Sequence, residues 1–482
     1  MKKYIFIIIA LTGMFITVNA QNEVDALRYS QTFQNATARS LSVGGAFGAL
    51  GADLSVMGTN PAGIGIYKRA ELSFTPGFYY NATESDFLNT KNTDSNNKMH
   101  FQSYGIVFPV FTQNNNSNLK NLNFGFSYNR IRDFNSNVYM EGINNNSSMV
   151  NEFVYTANTY SEFDIFSDGL AWETYLMDYD SIGGFYYGDF EEGSPFGQMQ
   201  KKSISTRGSI GEYTFSIGGK FNDYVYFGAS FSLQSLRYFE DSKFSEDDIN
   251  NQIDYFNWFD YKYSQETTGN GYNFKLGAIV RPVDWLRVGA AIHSPTFFKF
   301  KDYWIYSMET SIEDGESPHF YDAQGENDSY QELTTPLKAI GSLAVIVKKA
   351  GIISIDYEYV DYSTSRLGSR SNDYFYTDEN QAIKDMYKST ANIRIGGELR
   401  LGNISLRGGY GIFGSPYKST EVNSDAFYKT LSAGIGFRSN NFFLDLVIVN
   451  RQIEESYFLY YENEATLNSS SNRILATFGF RF

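Results

Sequence analysis

VYFGASFSLQ, residues 225–234, alternates from end to end. Val225, Phe227, Ala229, Phe231 and Leu233 form one face, and Tyr226, Gly228, Ser230, Ser232 and Gln234 the other. A period of two puts successive side chains on opposite faces of a strand and fits no helix. The pattern recurs along the chain. In LNFGFSYN, residues 122–129, every even position is apolar or aromatic. Ile353, Ile355, Tyr357 and Tyr359 oppose Ser354, Asp356 and Glu358. Ile393, Ile395, Leu399 and Leu401 oppose Arg394, Glu398 and Arg400. At the end, Ile474, Ala476, Phe478, Phe480 and Phe482 oppose Thr477, Gly479 and Arg481.

A soluble sandwich also alternates, with one face in a core and the other in water. Three features favour an antiparallel barrel in lipid. The apolar face is aliphatic and aromatic with almost no charge. The opposite face carries Asp356, Glu358, Arg394, Glu398, Arg400 and Arg407, as a hydrated lumen would. Short and long connections alternate strictly. The pattern predicts an all-β fold of fourteen strands, near 71–80, 100–110, 121–130, 203–219, 223–238, 268–281, 285–301, 336–348, 351–363, 389–401, 403–412, 428–438, 441–451 and 472–482. Long outer loops are expected near 82–99, 131–202, 239–267, 302–335, 364–388, 413–427 and 452–471. An even strand count closes the barrel and leaves no unpaired edge in lipid.

The composition agrees. Mean hydropathy is −0.35, yet the chain has 38 Tyr, 42 Phe and 42 Gly with only 9 Pro. Alternation hides the hydrophobicity of a membrane barrel from such averages. Lys2 and Lys3, the apolar run Tyr4 to Ile16 and the small-residue site Val18-Asn19-Ala20 read as a signal peptide over 1–20. The mature chain is expected to start at Gln21. No cysteine occurs, which excludes disulfides, thiol chemistry and Cys–zinc sites. The net charge is −15 and no basic stripe appears, so nucleic acid is not an expected partner.

The stretch TNPAGIGIYKRAELSFTPGFYYN, residues 59–81, shifts from a Gly/Pro-rich corner to a strand. About 50 residues of mature chain precede it, and they are small and Gly-rich. Residues 21–70 are therefore expected to fold back into the lumen as a plug, and residues 71–482 to form the barrel. A lumen too wide for its own side chains needs a plug or leaves a channel.

Here the residues resemble a family. Ala38-Arg39-Ser40-Leu41-Ser42-Val43-Gly44-Gly45-Ala46-Phe47, then Ala52-Asp53, then Asn60-Pro61-Ala62-Gly63-Ile64, is similar to the N-terminal hatch of the FadL/TodX outer-membrane transporters of long-chain fatty acids and hydrocarbons. VGAAIHSPTFFKF (288–300), the segment 334–363, ISLRGGYGIFGSPY (404–417) and the C-terminal ILATFGFRF look alike too. The resemblance implies a fourteen-stranded barrel closed by a hatch. It implies passive transport of an apolar compound, caught by outer loops and released sideways through a gap at an inward kink of the third strand. It makes Asn60, Pro61, Ala62 and Gly63 the hatch motif and places the kink at Tyr128, Asn129 and Arg130. The chain departs from the family at the long stretch 131–202, rich in Tyr, Asn and Asp, and at Leu54, where the family often has Asp.

Other motifs point nowhere else. Gly409-Tyr410-Gly411-Ile412-Phe413-Gly414 matches a dinucleotide fingerprint in letters only, since it ends a barrel strand rather than opening a helix. His100, His293 and His319 are scattered, and no metal, cofactor or catalytic constellation is expected. Tyr255, Phe256, Trp258 and Phe259 have two readings: a greasy capture surface, or an aromatic girdle with loop packing. The expected partners are a hydrophobic small molecule, outer-membrane lipid and lipopolysaccharide, and the barrel assembly machinery; the expected state is a monomer. The alternatives are a general or sugar-selective porin, favoured by the charged lumen face, and a structural or adhesive barrel, favoured by the long loops.

Overall fold

The structure is a computed structural model that describes residues 23–33, 36–112, 118–190, 196–326, 330–348, 350–369, 375–460 and 463–482. The expected signal segment 1–20 and start at Gln21 lie outside the described residues. Fourteen antiparallel strands close into one barrel. The first four are Glu71–Phe87, Thr90–Thr112, Leu119–Asp133 continued by Ser136–Asn144, and Gln198–Phe221. Val225–Asp247 and Phe256–Val283 follow, then Leu286–His293 with Phe297–Ile312. The eighth strand is Lys338–Val347, preceded by Gln331–Thr334; the ninth is Gly351–Asp361 with Arg366–Ser369. Ser389–Leu401, Ile404–Phe413, Tyr428–Arg438, Phe442–Phe458 and Glu464–Arg481 complete the wall. The first strand pairs with the last from Glu71↔Arg481 to Phe87↔Ala465, which closes the cylinder.

The faces are inverted relative to a soluble protein. Phe227, Phe231 and Leu233 are 42%, 36% and 45% exposed, whereas Ser230, Ser232 and Gln234 between them are buried. Ile393, Ile395 and Leu399 stand outside while Arg394 and Glu398 are buried. Apolar groups outward and charges inward is the arrangement for a hydrocarbon solvent. Tyr104, Tyr128 and Tyr213 form a ladder of rings at one rim of this belt, with centroids 5.0 Å apart at each step.

The strands outrun the expectation. Val225–Asp247 has 23 residues and Phe256–Val283 has 28, where a bilayer needs about 9–11. The segment 82–99, expected as a loop, is two paired strands joined at Leu88-Asn89, both with positive φ. Most of 239–267 is strand as well. The reason is that beyond the bilayer both faces are wet. Stretches such as Asn92-Thr93-Asp94-Ser95-Asn96-Asn97 then carry no apolar alternation, although their backbone pairing continues.

Candidate functional site: the hatch, the lumen and the wall break

Residues 38–66 fill the half of the lumen nearest the short turns. Helix Ala38–Ser42 is capped by Thr37, whose hydroxyl accepts from Ser40 N and donates to Asp53 at 2.7 Å. The turn Pro61–Ile66 starts on Asn60, whose side-chain oxygen accepts from Ala62 N at 3.2 Å. The Asn60 amide also donates to Gly48 O at 2.7 Å and, across the lumen wall, to Ala278 O at 3.2 Å. Pro61 needs no donor at the first position of this turn, and Ala62 has no exposed surface. The motif Asn60-Pro61-Ala62-Gly63 is thus a cap, a stop and two small residues that let the turn lie flat on the wall.

The wall is shaped to receive it. A Cβ on Gly228 would overlap the Pro61 carbonyl, and one on Gly409 would overlap Gly44 N. Glycine at these inward positions lets two backbones meet directly. Charges lock the contact. Arg407 pairs with Glu398 and Asp445, each at 2.6 Å, and Arg39 of the hatch reaches Glu398 at 3.4 Å. Arg394 pairs with Glu358 at 3.1 Å, while Asp356 accepts from Phe47 N and Gly48 N. The inward charges noted in the sequence are therefore spent on one another and on hatch amides.

Above the hatch lies a cavity of about 80 Å³, lined by Tyr29, Phe33, Ile131, Lys275, His293 and Lys338 among others. It has room for a few waters only. His293 bonds Thr59 O at 2.8 Å and Lys338 donates to Thr32 at 2.6 Å, so both hold the hatch rather than a metal. Among the described residues no cluster of His, Cys, Asp and Glu has a metal site's composition. The far end of the barrel is filled differently. Phe87, Met140, Met149, Phe153, Phe244 and Phe259 belong to an apolar core that closes the lumen there. The stretch 131–202 supplies much of it, through helix Met149–Thr159 and helix Asp168–Glu173.

Between these two fillings the wall is interrupted. The second and third strands pair only up to Ser103↔Asn129. The third strand bulges between Arg130 and Arg132, then breaks at Phe134-Asn135. Its continuation Ser136–Asn144 stays paired with the fourth strand but has left the second. It lies instead across the inner face of the hairpin formed by the first two strands, where Asn81 donates to Asn135 O at 2.8 Å, Ser85 to Tyr139 O at 2.6 Å, and Asn96 of the second strand to Asn137 Oδ1 at 3.4 Å. On the other side of the break, Gly208 adopts φ +119°, and a Cβ there would overlap the Arg237 carbonyl. The rim is greasy outside, with Met99 and Phe101 exposed. It is polar inside: His100 stacks on Tyr79 at 4.0 Å and faces Asp133 at 3.4 Å, which also pairs with Arg130.

The candidate residues named from sequence are placed as follows. Tyr128 sits in the outward ring ladder, Asn129 faces the lumen as the last ladder pair, and Arg130 borders the bulge. Phe256 and Phe259 are buried in the apolar core at the far end of the barrel, Trp258 is half-buried and Tyr255 is exposed, so the four do not share a face. Sequence reading did not single out Phe33, which lines the cavity, Arg132 and Arg451, which bear on its ring, or Arg473, which lies over Tyr79. The inward phase of Thr477 and Arg481, continued by two-residue steps, does lead to Arg473.

The closed fourteen-stranded barrel with N-terminal helices packed in its lumen is similar in fold to solved structures. The chain is similar to the crystal structure of a Pseudomonas aeruginosa FadL homologue, with a TM-score of 0.57 at 13% identity, covering 94% of this chain and 99% of that one. It is also similar to the toluene transporter TodX of P. putida (TM-score 0.54, 10% identity, 93% and 99% covered). The Ralstonia pickettii toluene transporter TbuX matches at a TM-score of 0.50, with 13% identity and 93% and 99% covered. At these identities the likeness establishes the fold. No family model and no curated protein sequence matches the chain.

Proposed function

We propose that this chain is an outer-membrane transporter of hydrophobic compounds that releases its cargo sideways, through the break between the second and third strands, into the membrane. One observation carries the reading: the lumen is packed on the hatch side by glycine-seated backbone and ion pairs, while the wall alone is interrupted. A lipophile gains nothing by crossing a wet pore, whereas a lateral exit delivers it to lipid without exposing it to water. The FadL homologue and the toluene transporters TodX and TbuX share this fold, which supports the same class of cargo. The cavity above the hatch, about 80 Å³, is far smaller than the roughly 300 Å³ of a typical ligand pocket, so it would have to widen to hold a cargo.

The absence of cysteine makes the test clean. A Cβ on Gly48 would lie 3.1 Å from Ser342 Cβ, close enough for a Gly48→Cys/Ser342→Cys pair to lock hatch to wall. Uptake of labelled fatty acid and of toluene is followed in cells lacking their own transporters. Sideways release predicts that uptake survives oxidation of the pair. Uptake that stops on oxidation and returns on reduction would refute it and send the cargo past the hatch.

A further inference from the structure

On the fourth to seventh strands the lipid-facing belt ends level. Its last outward apolar residues are Tyr213, Leu233, Tyr272 and Phe297, all exposed. The register sets them side by side, Tyr213↔Leu233, Leu233↔Tyr272 and Tyr272↔Phe297. From Val225 to Leu233 the belt is about as tall as the 9–11 residues that a tilted strand needs to cross a bilayer. The rows above it meet the head groups of the outer leaflet, because the short turns lie at the opposite end. The first row is Ser235, Asn270 and Lys299, and the second is Arg237, Thr268 and Lys301. Arg207 follows one row higher, opposite Phe239.

The charge here is unlike that on other parts of the wall. On the first and thirteenth strands the outward phase beyond the belt carries Glu84 and Glu454 instead. Two of the cations are partnered: Lys299 faces Glu332 at 3.6 Å, and Arg207 faces Asp241 at 3.9 Å. Among the described residues Arg237 and Lys301 have no carboxylate within ion-pair distance, and Lys301 lies 5.2 Å over the ring of Tyr330. Between these two cations an outward groove of about 410 Å³ opens over Ser235, Thr268 and Asn270, with Glu266 the one carboxylate among its lining residues. Arg237 and Lys301 each stand one strand from Thr268, so their backbones are about 10 Å apart. Two long side chains can close that gap around one anion.

We propose that this groove binds a phosphorylated glycolipid of the outer leaflet, with its phosphate held between Arg237 and Lys301. Three features select this occupant. The guanidinium and the ammonium both donate charge-assisted hydrogen bonds, the former as a fork that matches phosphate oxygens. The groove opens where the belt ends, so acyl chains lying on Leu233, Tyr272 and Phe297 bring a head group into it. Its volume leaves room beside the phosphate for the sugar that carries it, with neutral hydroxyls and amides beneath and the Tyr330 ring at one side. The site lies on the outer wall and depends neither on the cargo nor on its route of release.

The test titrates the full-length barrel in a neutral detergent with lipid A, and with the same lipid A after enzymatic removal of its phosphates. Two cations predict a preference of about tenfold or more for the phosphorylated form. Arg237→Gln/Lys301→Gln should remove that preference and leave binding of the dephosphorylated form unchanged. Both side chains are exposed, so the variant should fold, which resistance to heat in gel electrophoresis checks. Glu266→Gln should tighten the phosphorylated form. Lys429→Gln, which removes an outward cation on the twelfth strand, should change nothing. Inorganic phosphate and phosphatidylglycerol, each equimolar with lipid A, should not displace it. Equal binding of the two forms, or of neither, would overturn the site. So would a preference that survives the double variant or is lost in Lys429→Gln, or a loosening in Glu266→Gln. Displacement by inorganic phosphate would reduce the groove to a free-anion site, and displacement by phosphatidylglycerol to a general anionic-lipid surface; either result overturns the proposal.

Discussion

The two ends of this lumen are closed by opposite chemistry. At the end with the short turns, backbone lies on backbone at glycines, and buried charges are paired between wall and hatch. At the other end, phenylalanines and methionines from loops and strand extensions form an oily core. The first filling is specific and rigid, because each ion pair and each glycine seat accepts one geometry. The second is adaptable, because apolar side chains can repack at similar volume. A gate for lipophiles is better built at the adaptable end, with the rigid end keeping water and ions from passing.

The largest effect should come from spoiling a glycine seat. Gly409→Leu drives a side chain into Gly44 and should unseat the hatch, turning a closed barrel into one with steady conductance in planar bilayers. A variant that stays closed and folds normally would break the contrast at its root. Next comes Arg407→Ala, which removes the cation shared by Glu398 and Asp445 and leaves Glu398 to Arg39 and Arg400 and Asp445 to Arg438. It should cost about 3–5 kcal/mol in denaturant titrations. A loss below about 1 kcal/mol, typical of exposed pairs, would mean that water reaches this network.

At the oily end, Phe259→Ala should cost a comparable or smaller amount, about 3 kcal/mol or more, but locally. Limited proteolysis should show faster cutting within 145–197 and no change in hatch protection. Equal loosening of both ends would make the lumen one cooperative unit.

The smallest effect concerns pH. Glu246 sits beneath helix Met149–Thr159, accepting from Ser148 Oγ at 2.5 Å and Met149 N at 2.8 Å. Burial lifts its carboxyl from the usual 4.5 to about 7, against the pull of those hydrogen bonds. Below 4.5 folded and unfolded states both hold the proton. Between 4.5 and about 7 only the unfolded state releases it, so the cap loses stability as pH rises through that window. Cutting within 145–197 should therefore be slower near pH 5 than near pH 8, and Glu246→Gln should flatten the difference. A cap that tightens with rising pH would show that the carboxylate is the better partner for the helix N-terminus.

The membrane-facing part of the molecule was legible because lipid enforces alternation. Val225 to Gln234 and Ile393 to Leu401 could be assigned to faces from letters alone, and the number of strands followed. Legibility stopped where lipid stops. Ser136–Asn144 and the hairpin around Leu88-Asn89 are strands whose two faces are both polar, so no periodicity marks them. The expected kink at Tyr128 to Arg130 adjoins the point where pairing with the second strand ends and the bulge begins, and the strand then breaks further on, at Phe134-Asn135, for a reason that is not local. It depends on Gly208 of the neighbouring strand and on Asn81 and Ser85 of the first. Phe256 and Phe259, conspicuous in sequence, proved to be core, whereas Arg451 was inconspicuous and lies beside the break.

The detour of the third strand has a consequence for dynamics. In an antiparallel ladder every second amide of a strand points to each neighbour. Along 90–102 the second strand keeps its partner on one side only, and Ser136–Asn144 does likewise. Alternate amides in these two stretches should exchange with deuterium far faster than those flanking them, producing a zipper-like stripe of fast and slow residues in an otherwise protected wall. The stripe would map the aperture at single-residue spacing, and its fading on addition of a long-chain ligand would report the moment the aperture is filled.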